Sequence, residues 1–177
     1  VDMAEGSWLI LSQAGYQLTP VAKDLKSNGY LFNYRGHRSI SEKVADAVNG
    51  WEALRKGREV SGKTARNIYS FMSAKDRITR GFKKLPAVLE EDLVDLSTLI
   101  ADHGLNADKE MIWHVAMDKL PEQDRAYIIA LLRRGEKFNG EPRITVSTIH
   151  GSKGGEADNV VLFTDLSPAA ERAARSN

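Results

Sequence analysis

The residues with most potential for chemistry lie close together near the end of the chain: Thr148, His150, Lys153, Gly154 and Glu156. Threonine and histidine can donate hydrogen bonds to a nucleic-acid backbone, and glycines let the main chain approach a ligand closely. A carboxylate such as that of Glu156 can accept hydrogen bonds from ribose hydroxyls. The spacing therefore indicates a loop that contacts a nucleic acid, a nucleotide or both.

A structural interpretation of the same loop stays open. Thr148 and His150 would then only cap the end of a strand, and Lys153 and Glu156 would be solvated loop residues. Taken alone, the loop residues do not decide between the two interpretations.

The segments on either side of this loop have the character of strands. Isoleucine, threonine and valine crowd into residues 143–149, and residues 160–163 form an apolar run. Open α/β sheets bind ligands at the carboxyl ends of their strands. We therefore expect the polar loop at the ligand-binding edge of a sheet.

A second motif looks like a phosphate-binding loop. Residues 57–64, GREVSGKT, match G-x-x-x-x-G-K-[ST] through Gly57, Gly62, Lys63 and Thr64. Phosphate binding requires such a loop to follow a buried strand, so that backbone N–H groups and the lysine converge on one anion. Here an amphipathic helix over residues 40–56 precedes the loop. A turn between two helices explains the match better: Gly57 would end the first helix and Ser61 would cap the second.

The elements at both ends of the chain predict one α/β domain. A strand at residues 8–11, a helix at 20–28 capped by Thr19 and a strand at 30–32 form a βαβ pattern typical of parallel sheets. Together with the strands at 143–149 and 160–163, they predict a discontinuous domain formed by residues 1–36 and 141–177. Its tail, residues 167–177, looks polar and helical or frayed, and the domain looks incomplete at its C-terminal side.

The middle of the chain, residues 37–140, has a helical period and predicts an inserted, all-helical subdomain. Ser39 and Glu42 form a capping-box pattern for a first helix, and a second starts near Ser61. A third follows Pro86, and two more precede Gly135. The residues expected to face inward in the last three are Leu89, Leu93, Leu96, Ile100, Ile112, Trp113, Ala116, Leu120, Ile128, Ile129 and Leu132.

The pattern T-x-H-x-x-K-G-x-E, present as Thr148, His150, Lys153, Gly154 and Glu156, resembles motif V of UvrD/Rep-type superfamily 1 DNA helicases. The opening strand, WLILS, resembles the region of their motif IV. The family inserts a helical subdomain, called 2B, between these regions. The resemblance implies a RecA-like sheet of the P-loop NTPase type without its own phosphate loop, which is the second (2A) half of a helicase.

By the same resemblance, Thr148, His150 and Lys153 would bind single-stranded DNA, and Gly154 and Glu156 would bind ATP. ATP and Mg would be shared with a missing N-terminal RecA-like domain of the same protein, so the fragment holds no complete catalytic set and is expected to be inactive alone. Such enzymes serve DNA repair or replication. Two departures stand out: the family usually has large apolar residues in place of Gly155 and Ala157, and an arginine where residues 12–14 read SQA.

The composition bears on where the protein is located and on whether it binds a membrane or a metal. The chain of 177 residues carries a net charge of +1, no cysteine and no apolar run long enough for a membrane span. We expect a cytoplasmic (intracellular) protein that binds no membrane and no structural metal. Two alternatives remain: a stand-alone nucleotide hydrolase using Lys63 and Thr64, and a non-enzymatic helical adaptor or nucleic-acid-binding module.

The adaptor alternative depends on a basic run that could neutralise several phosphates, although such a run is more often a solvated face. The run contains Lys75, Arg77, Arg80, Lys83 and Lys84.

Overall fold

The computed structural model of the chain describes residues 3–137 and 139–164, so the tail expected at residues 167–177 lies outside the described residues. In chain order, the described elements are β1 Trp8–Ser12, α1 Leu18–Ser27, β2 Phe32–Tyr34, β3 His37–Arg38, α2 Glu42–Arg55, β4 Val60–Ser61, α3 Gly62–Ser70, β5 Leu93–Val94, α4 Leu96–Asp102, α5 Trp113–Ala116, α6 Glu122–Arg134, β6 Ile144–Thr148 and β7 Asn159–Phe163.

The chain folds as a mixed α/β protein with two compact units. The sheet unit comprises Val1–Ile40 and Tyr127–Asn177, and the middle unit comprises Ser41–Ala126. Among the described helices, none combines the length and apolar character needed to span a membrane.

The sheet unit contains a mostly parallel five-stranded sheet with the order β3-β2-β6-β1-β7. The strand β6 pairs in parallel with both β1 and β2, β1 also pairs in parallel with β7, and only β3 is antiparallel. The predicted strands are present, with β2 starting two residues later than expected. Because β6 lies between β1 and β2, the two ends of the chain share one sheet.

The two faces of this sheet differ in character. Strand alternation and register place Ile10, Phe32, Ile144 and Val146 on one face, where each is at most 2% exposed. The helix α1 contacts β6, and its Leu25 is also buried. The helix begins at Leu18 without a side-chain cap, so the expected cap at Thr19 was wrong. This first face forms the core of the unit.

The last two turns of α6 belong to the sheet unit, although the sequence placed residues up to 140 in the insertion. The Tyr127 hydroxyl donates to the Tyr30 carbonyl over 2.7 Å and lies 2.6 Å from Ser39 Oγ. A Cβ on Gly29, whose φ is +70°, would lie 2.3 Å from the Ala130 carbonyl oxygen. These long-range contacts join the helix to the chain before and after β2.

The middle unit contains α2 to α5 and the start of α6, but the expectation that it is all helical was wrong. The strands β4 and β5 pair antiparallel. The expected helix after Pro86 begins only at Leu96, and Leu89 and Leu93 are 61% and 65% exposed. The reason is local: the Leu89 N–H donates to Asp92 Oδ2 over 2.7 Å, which holds a turn in place of a helix.

Three further residues expected to face inward, Ile100, Ile112 and Leu132, are 45%, 40% and 47% exposed, whereas Trp113, Ala116, Leu120 and Ile128 are buried as predicted. Trp51 is fully buried in α2, and its indole N–H donates to the Met111 carbonyl over 2.8 Å. Ser41, rather than the predicted Ser39, caps α2 by accepting a hydrogen bond from the Val44 N–H. Ser39 accepts from the Phe32 N–H in the sheet unit. Both Trp51 and Trp113 are buried and therefore act in packing.

Candidate functional site

The polar loop predicted from the sequence connects β6 to β7. Thr148 is the last residue of β6, and its Oγ1 accepts a hydrogen bond from the Gly151 N–H over 3.2 Å. A short 3₁₀ turn, His150–Ser152, follows. The Ile149 N–H still donates to the Ser12 carbonyl over 3.0 Å, so the start of the loop is fixed to β1. Thr148 thus stabilises the turn and keeps its own hydroxyl proton for a further partner.

The second half of the loop turns sharply at its glycines. Gly154 has a φ of +83°, a conformation that glycine adopts at little cost. The Gly155 N–H donates to the Ser152 carbonyl over 2.8 Å, which closes the turn. Lys153 and Glu156 are exposed, and no hydrogen bond or ion pair joins their side chains to the described part of the chain.

Three of the five predicted site residues line one cavity, and Thr148 lies next to it, since its Oγ1 is 3.1 Å from the position a Cβ would take on Gly151, a lining residue. Lys153, Gly154 and Glu156 line a cavity of about 560 Å³ in the sheet unit. Thr148 and His150 do not line this cavity. Lys153, which the sequence grouped with Thr148 and His150, therefore lies with the other two loop residues.

The cavity has a polar floor on the second face of the sheet. Asn33, Thr145 and Ser147 line it together with Leu9. The register pairs Thr145 with both Asn33 and Leu9, so these three side chains form one row across β2, β6 and β1. Ser147 lies one row further along β6. Sequence reasoning missed these residues because strand alternation marks them only once the register is known.

One wall of the cavity is held by a carboxylate. Asp158 Oδ2 accepts hydrogen bonds from the backbone N–H and the hydroxyl of Ser7, both over 2.8 Å. The backbone N–H of Ser7, followed by its hydroxyl, lowers the pKa of Asp158. The guanidinium of Arg143 is also hydrogen-bonded within the protein, since its Nη1 donates to the carbonyls of Met3, Ala4 and Gly6. These bonds fix the rim of the cavity.

A cationic side chain that the sequence analysis missed lies at the carboxyl end of the sheet. Arg35 has a φ of +50°, and its N–H donates to the Val146 carbonyl over 2.9 Å. Its Nη1 lies 3.6 Å from the position a Cβ would take on Gly15, and the Thr148 methyl lies 4.0 Å from that same position. The guanidinium of Arg35 and the side chain of Thr148 therefore flank Gly15.

A turn signal could have located Arg35. Only Arg35 and Gly36 separate β2 from β3, and both have positive φ. Two-residue hairpins commonly require positive φ at both positions. The Arg-Gly pair after an apolar segment thus marks a hairpin that projects its arginine from a strand end.

Two connections of the sheet pass this same edge. The chain leaves β1 toward β2, passing β6, whereas it leaves β6 toward β7, passing β1. Gly15, Arg35 and Thr148 therefore lie where the chain leaves the carboxyl ends of β1, β2 and β6.

The GREVSGKT segment does not form a phosphate cradle. The N–H groups of Gly62 and Lys63 donate to the carbonyls of Asp92 and Glu90, over 2.8 and 3.1 Å. The Thr64 N–H donates to Ser61 Oγ, and Gly62 is buried. Ser61 caps α3 as predicted. The backbone donors that a phosphate would need are thus already used.

The basic run of the middle unit is not a uniform cationic surface. Lys83 Nζ donates to the carbonyls of Tyr69 and Met72, and burial lowers its pKa. Arg77 Nε donates to the Val115 carbonyl over 3.3 Å. Lys75, Arg80 and Lys84 remain exposed, which is a weak basis for nucleic-acid binding.

Within the described ranges, no group of three or more histidine, cysteine, aspartate or glutamate side chains is arranged to hold a metal ion.

In comparisons with known proteins, no family model, no curated protein and no solved structure matches this chain.

Proposed function

We propose that the chain is part of an ATP-dependent DNA helicase of the UvrD/Rep type and forms its second RecA-like half, with residues of the middle unit inserted. It would contribute one wall of the ATP cleft and one wall of the path for single-stranded DNA. The observation that carries this proposal is the position of the T-x-H-x-x-K-G-x-E loop, which starts at the carboxyl end of β6, the edge at which open α/β sheets bind ligands.

The carboxyl edge of the sheet supplies groups suited to a nucleic-acid backbone. The Arg35 guanidinium can bind a phosphate through two parallel N–H···O bonds, and its position beside Thr148 places both donors at one edge. His150 is exposed in the next turn. These three residues would contact phosphates of the single strand, which positions it without reading its sequence.

The cavity side of the loop suits a nucleotide. Glu156 offers a carboxylate for ribose hydroxyls and Gly154 allows close approach of the backbone. Lys153, which the resemblance assigns to DNA binding, lines the same cavity, so its ammonium could also bind the phosphates of a nucleotide.

ATP hydrolysis would require a second domain. The residues described here contain neither a free phosphate loop nor a carboxylate cluster for Mg. ATP and Mg would therefore be held mainly by an N-terminal RecA-like partner domain. By itself, the chain is expected to show no ATP turnover above background.

The DNA part of the proposal is tested by fluorescence anisotropy with a labelled single-stranded oligonucleotide at low and moderate salt. The double variant Thr148→Ala, His150→Ala should bind about a hundredfold more weakly, because it removes two hydrogen bonds to charged groups, each worth about 1.5 kcal/mol. Lys63→Ala serves as the control and should bind like the unmodified chain. Equal binding by the double variant and the unmodified chain would show that the loop is structural.

Measuring ATP turnover at high protein concentration tests the prediction that the chain alone does not hydrolyse ATP. An appreciable rate that Lys63→Ala abolishes would instead support a stand-alone nucleotide hydrolase.

A further inference from the structure

The middle unit carries an exposed turn that is both apolar and acidic. Residues 89–93, LEEDL, are all exposed, and Leu89 and Leu93 are 61% and 65% exposed. The residues on either side, Val88 and Val94, are buried. Within the part of the chain that the structure describes, no ion pair neutralises the three carboxylates of this turn. We call residues 89–93 the acidic turn.

The backbone of the acidic turn is fixed at the start of α3. The Gly62 N–H donates to the Asp92 carbonyl over 2.8 Å. The Lys63 N–H donates to the Glu90 carbonyl over 3.1 Å, and the Leu89 N–H donates to Asp92 Oδ2 over 2.7 Å. The two leucines are therefore presented by an ordered backbone. A preformed surface of this kind loses little conformational entropy when a partner covers it.

A basic segment, formed by Arg80, Lys83 and Lys84, lies at the other end of the same helix. Lys83 Nζ donates to the carbonyls of Tyr69 and Met72, at the C-terminal end of α3. Arg80 and Lys84 are exposed, and neither forms an ion pair with the described residues. The basic segment thus has two cations available for a partner.

The chain that joins the basic segment to the acidic turn runs along one side of α3. Arg66, in the middle of the helix, donates through Nη2 to the Val88 carbonyl. Both charged groups therefore lie on that side of α3. The helix has nine residues, and a rise of 1.5 Å per residue places its ends about 13 Å apart. The surface is positive at one end and both negative and apolar at the other.

Such a surface is complementary to itself under a two-fold rotation. When two copies lie with their α3 helices antiparallel, the acidic turn of each faces the basic segment of the other. A two-fold interface uses the same patch on both copies, so each favourable contact occurs twice. A parallel arrangement would place like charges together and is disfavoured. We propose that a second copy of this chain docks here and covers Leu89 and Leu93.

This dimer is independent of the proposed function, because neither the loop after β6 nor the cavity takes part in it. The charges also suit the dipole of α3, whose N-terminus favours carboxylates and whose C-terminus favours cations. That local role explains the sign of the charges, but it does not explain two leucines exposed on an ordered turn.

Sedimentation velocity of the whole chain over a concentration series tests the proposal. At low salt the apparent mass should double as the concentration rises, and added salt should weaken the association because it screens exposed charges. Leu93→Ser alters no charge and replaces an exposed side chain, so the fold should persist while self-association weakens.

Charge reversal provides the decisive comparison. The double variants Glu90→Lys, Glu91→Lys and Arg80→Glu, Lys84→Glu should each self-associate about a hundredfold more weakly, because like charges then meet across the interface. An equimolar mixture of the two should dimerise again, since opposite charges face each other at both contacts of the mixed dimer. A role confined to the dipole of α3 would not produce this recovery.

Glu110→Lys is the matched control, because it reverses an exposed carboxylate of the middle unit outside the acidic turn. It should dimerise like the unmodified chain. If the unmodified chain stays monomeric at every concentration, the inference is overturned and the acidic turn is left to a different, basic partner. A mixture that associates no better than either double variant alone would also overturn it.

Discussion

Ser147 and Thr148 are consecutive residues of β6, yet their side chains lie on opposite faces of the sheet. Ser147 lines the cavity, while the Thr148 methyl lies 4.0 Å from the Cβ position of Gly15, outside it. Alternation along the strand directs the two side chains to different faces, although both side-chain oxygens reach Gly151, at 2.8 and 3.1 Å from the position a Cβ would take there. One peptide bond thus joins the proposed nucleotide side to the proposed DNA side, and a shift of β6 would move both.

Arg35→Ala should weaken binding of single-stranded DNA and flatten its salt dependence. Each phosphate neutralised on a single strand contributes about 0.7 to the slope of log affinity against log salt, so the slope should become shallower by about that amount. Arg58→Ala, which removes an exposed arginine of the middle unit, is the control. The measurement is fluorescence anisotropy over a salt series, and an unchanged slope in Arg35→Ala would exclude a phosphate contact.

Ser12→Ala and Ser147→Ala should differ in stability. Ser12 loses a buried hydrogen bond of 2.7 Å, which should lower the free energy of unfolding by about 1 kcal/mol. Ser147 loses a hydroxyl without a partner among the described residues, so its replacement should be neutral or slightly stabilising. Urea denaturation followed by circular dichroism compares the two. A clear loss of stability in Ser147→Ala would mean that its hydroxyl is bonded within the protein.

Gly29→Ala should destabilise the sheet unit far more than Gly36→Ala. Both glycines have positive φ, which costs an alanine about 1 kcal/mol. At Gly29 the new Cβ would also lie 2.3 Å from a backbone oxygen, whereas at Gly36 nothing lies within 4 Å. We expect a further loss of at least about 2 kcal/mol for Gly29→Ala, measured by urea denaturation. Similar losses in both variants would argue against the contact between residues 29 and 130.

The stability of the sheet unit should fall at alkaline pH because of Tyr127. Burial raises the pKa of Tyr127 to about 12 from its ordinary value of 10.0. The unfolded chain therefore loses this proton first, so the contribution is complete below pH 10 and is lost between pH 10 and 12. The expected slope is about 1 kcal/mol per pH unit. Tyr127→Phe should remove this part of the slope in urea denaturation at pH 9 to 11, and an identical slope would contradict the assignment.

The elements that were predicted correctly are determined by residues close together in sequence. The strand β6 follows from its run of β-branched residues, and Ser61 caps a helix because its side chain bonds three residues ahead. The region around Leu89 and Leu93 was mispredicted because Asp92 closes a turn that an apolar count does not register. Turn-forming side chains override a helical period when they satisfy the backbone first.

Some residues of the candidate site could be predicted from their neighbours in sequence and others could not. The loop residues Thr148 to Glu156 are close in sequence and could be recognised as a motif, whereas Asn33 and Ser147 come together only through the register of β2 against β6. Register is set by long-range packing rather than by neighbours in sequence.

The position of β6 between β1 and β2 also constrains the order in which the chain can assemble. The partners of β1 are β6 and β7, more than a hundred residues later in sequence. The middle unit, in contrast, is built from contiguous residues. During synthesis the middle unit can therefore fold first, while the apolar segment WLILS is still unpaired. Apolar strand segments without a pairing partner are prone to aggregation. Slow translation, or truncation before residue 148, would therefore leave the chain dependent on chaperones.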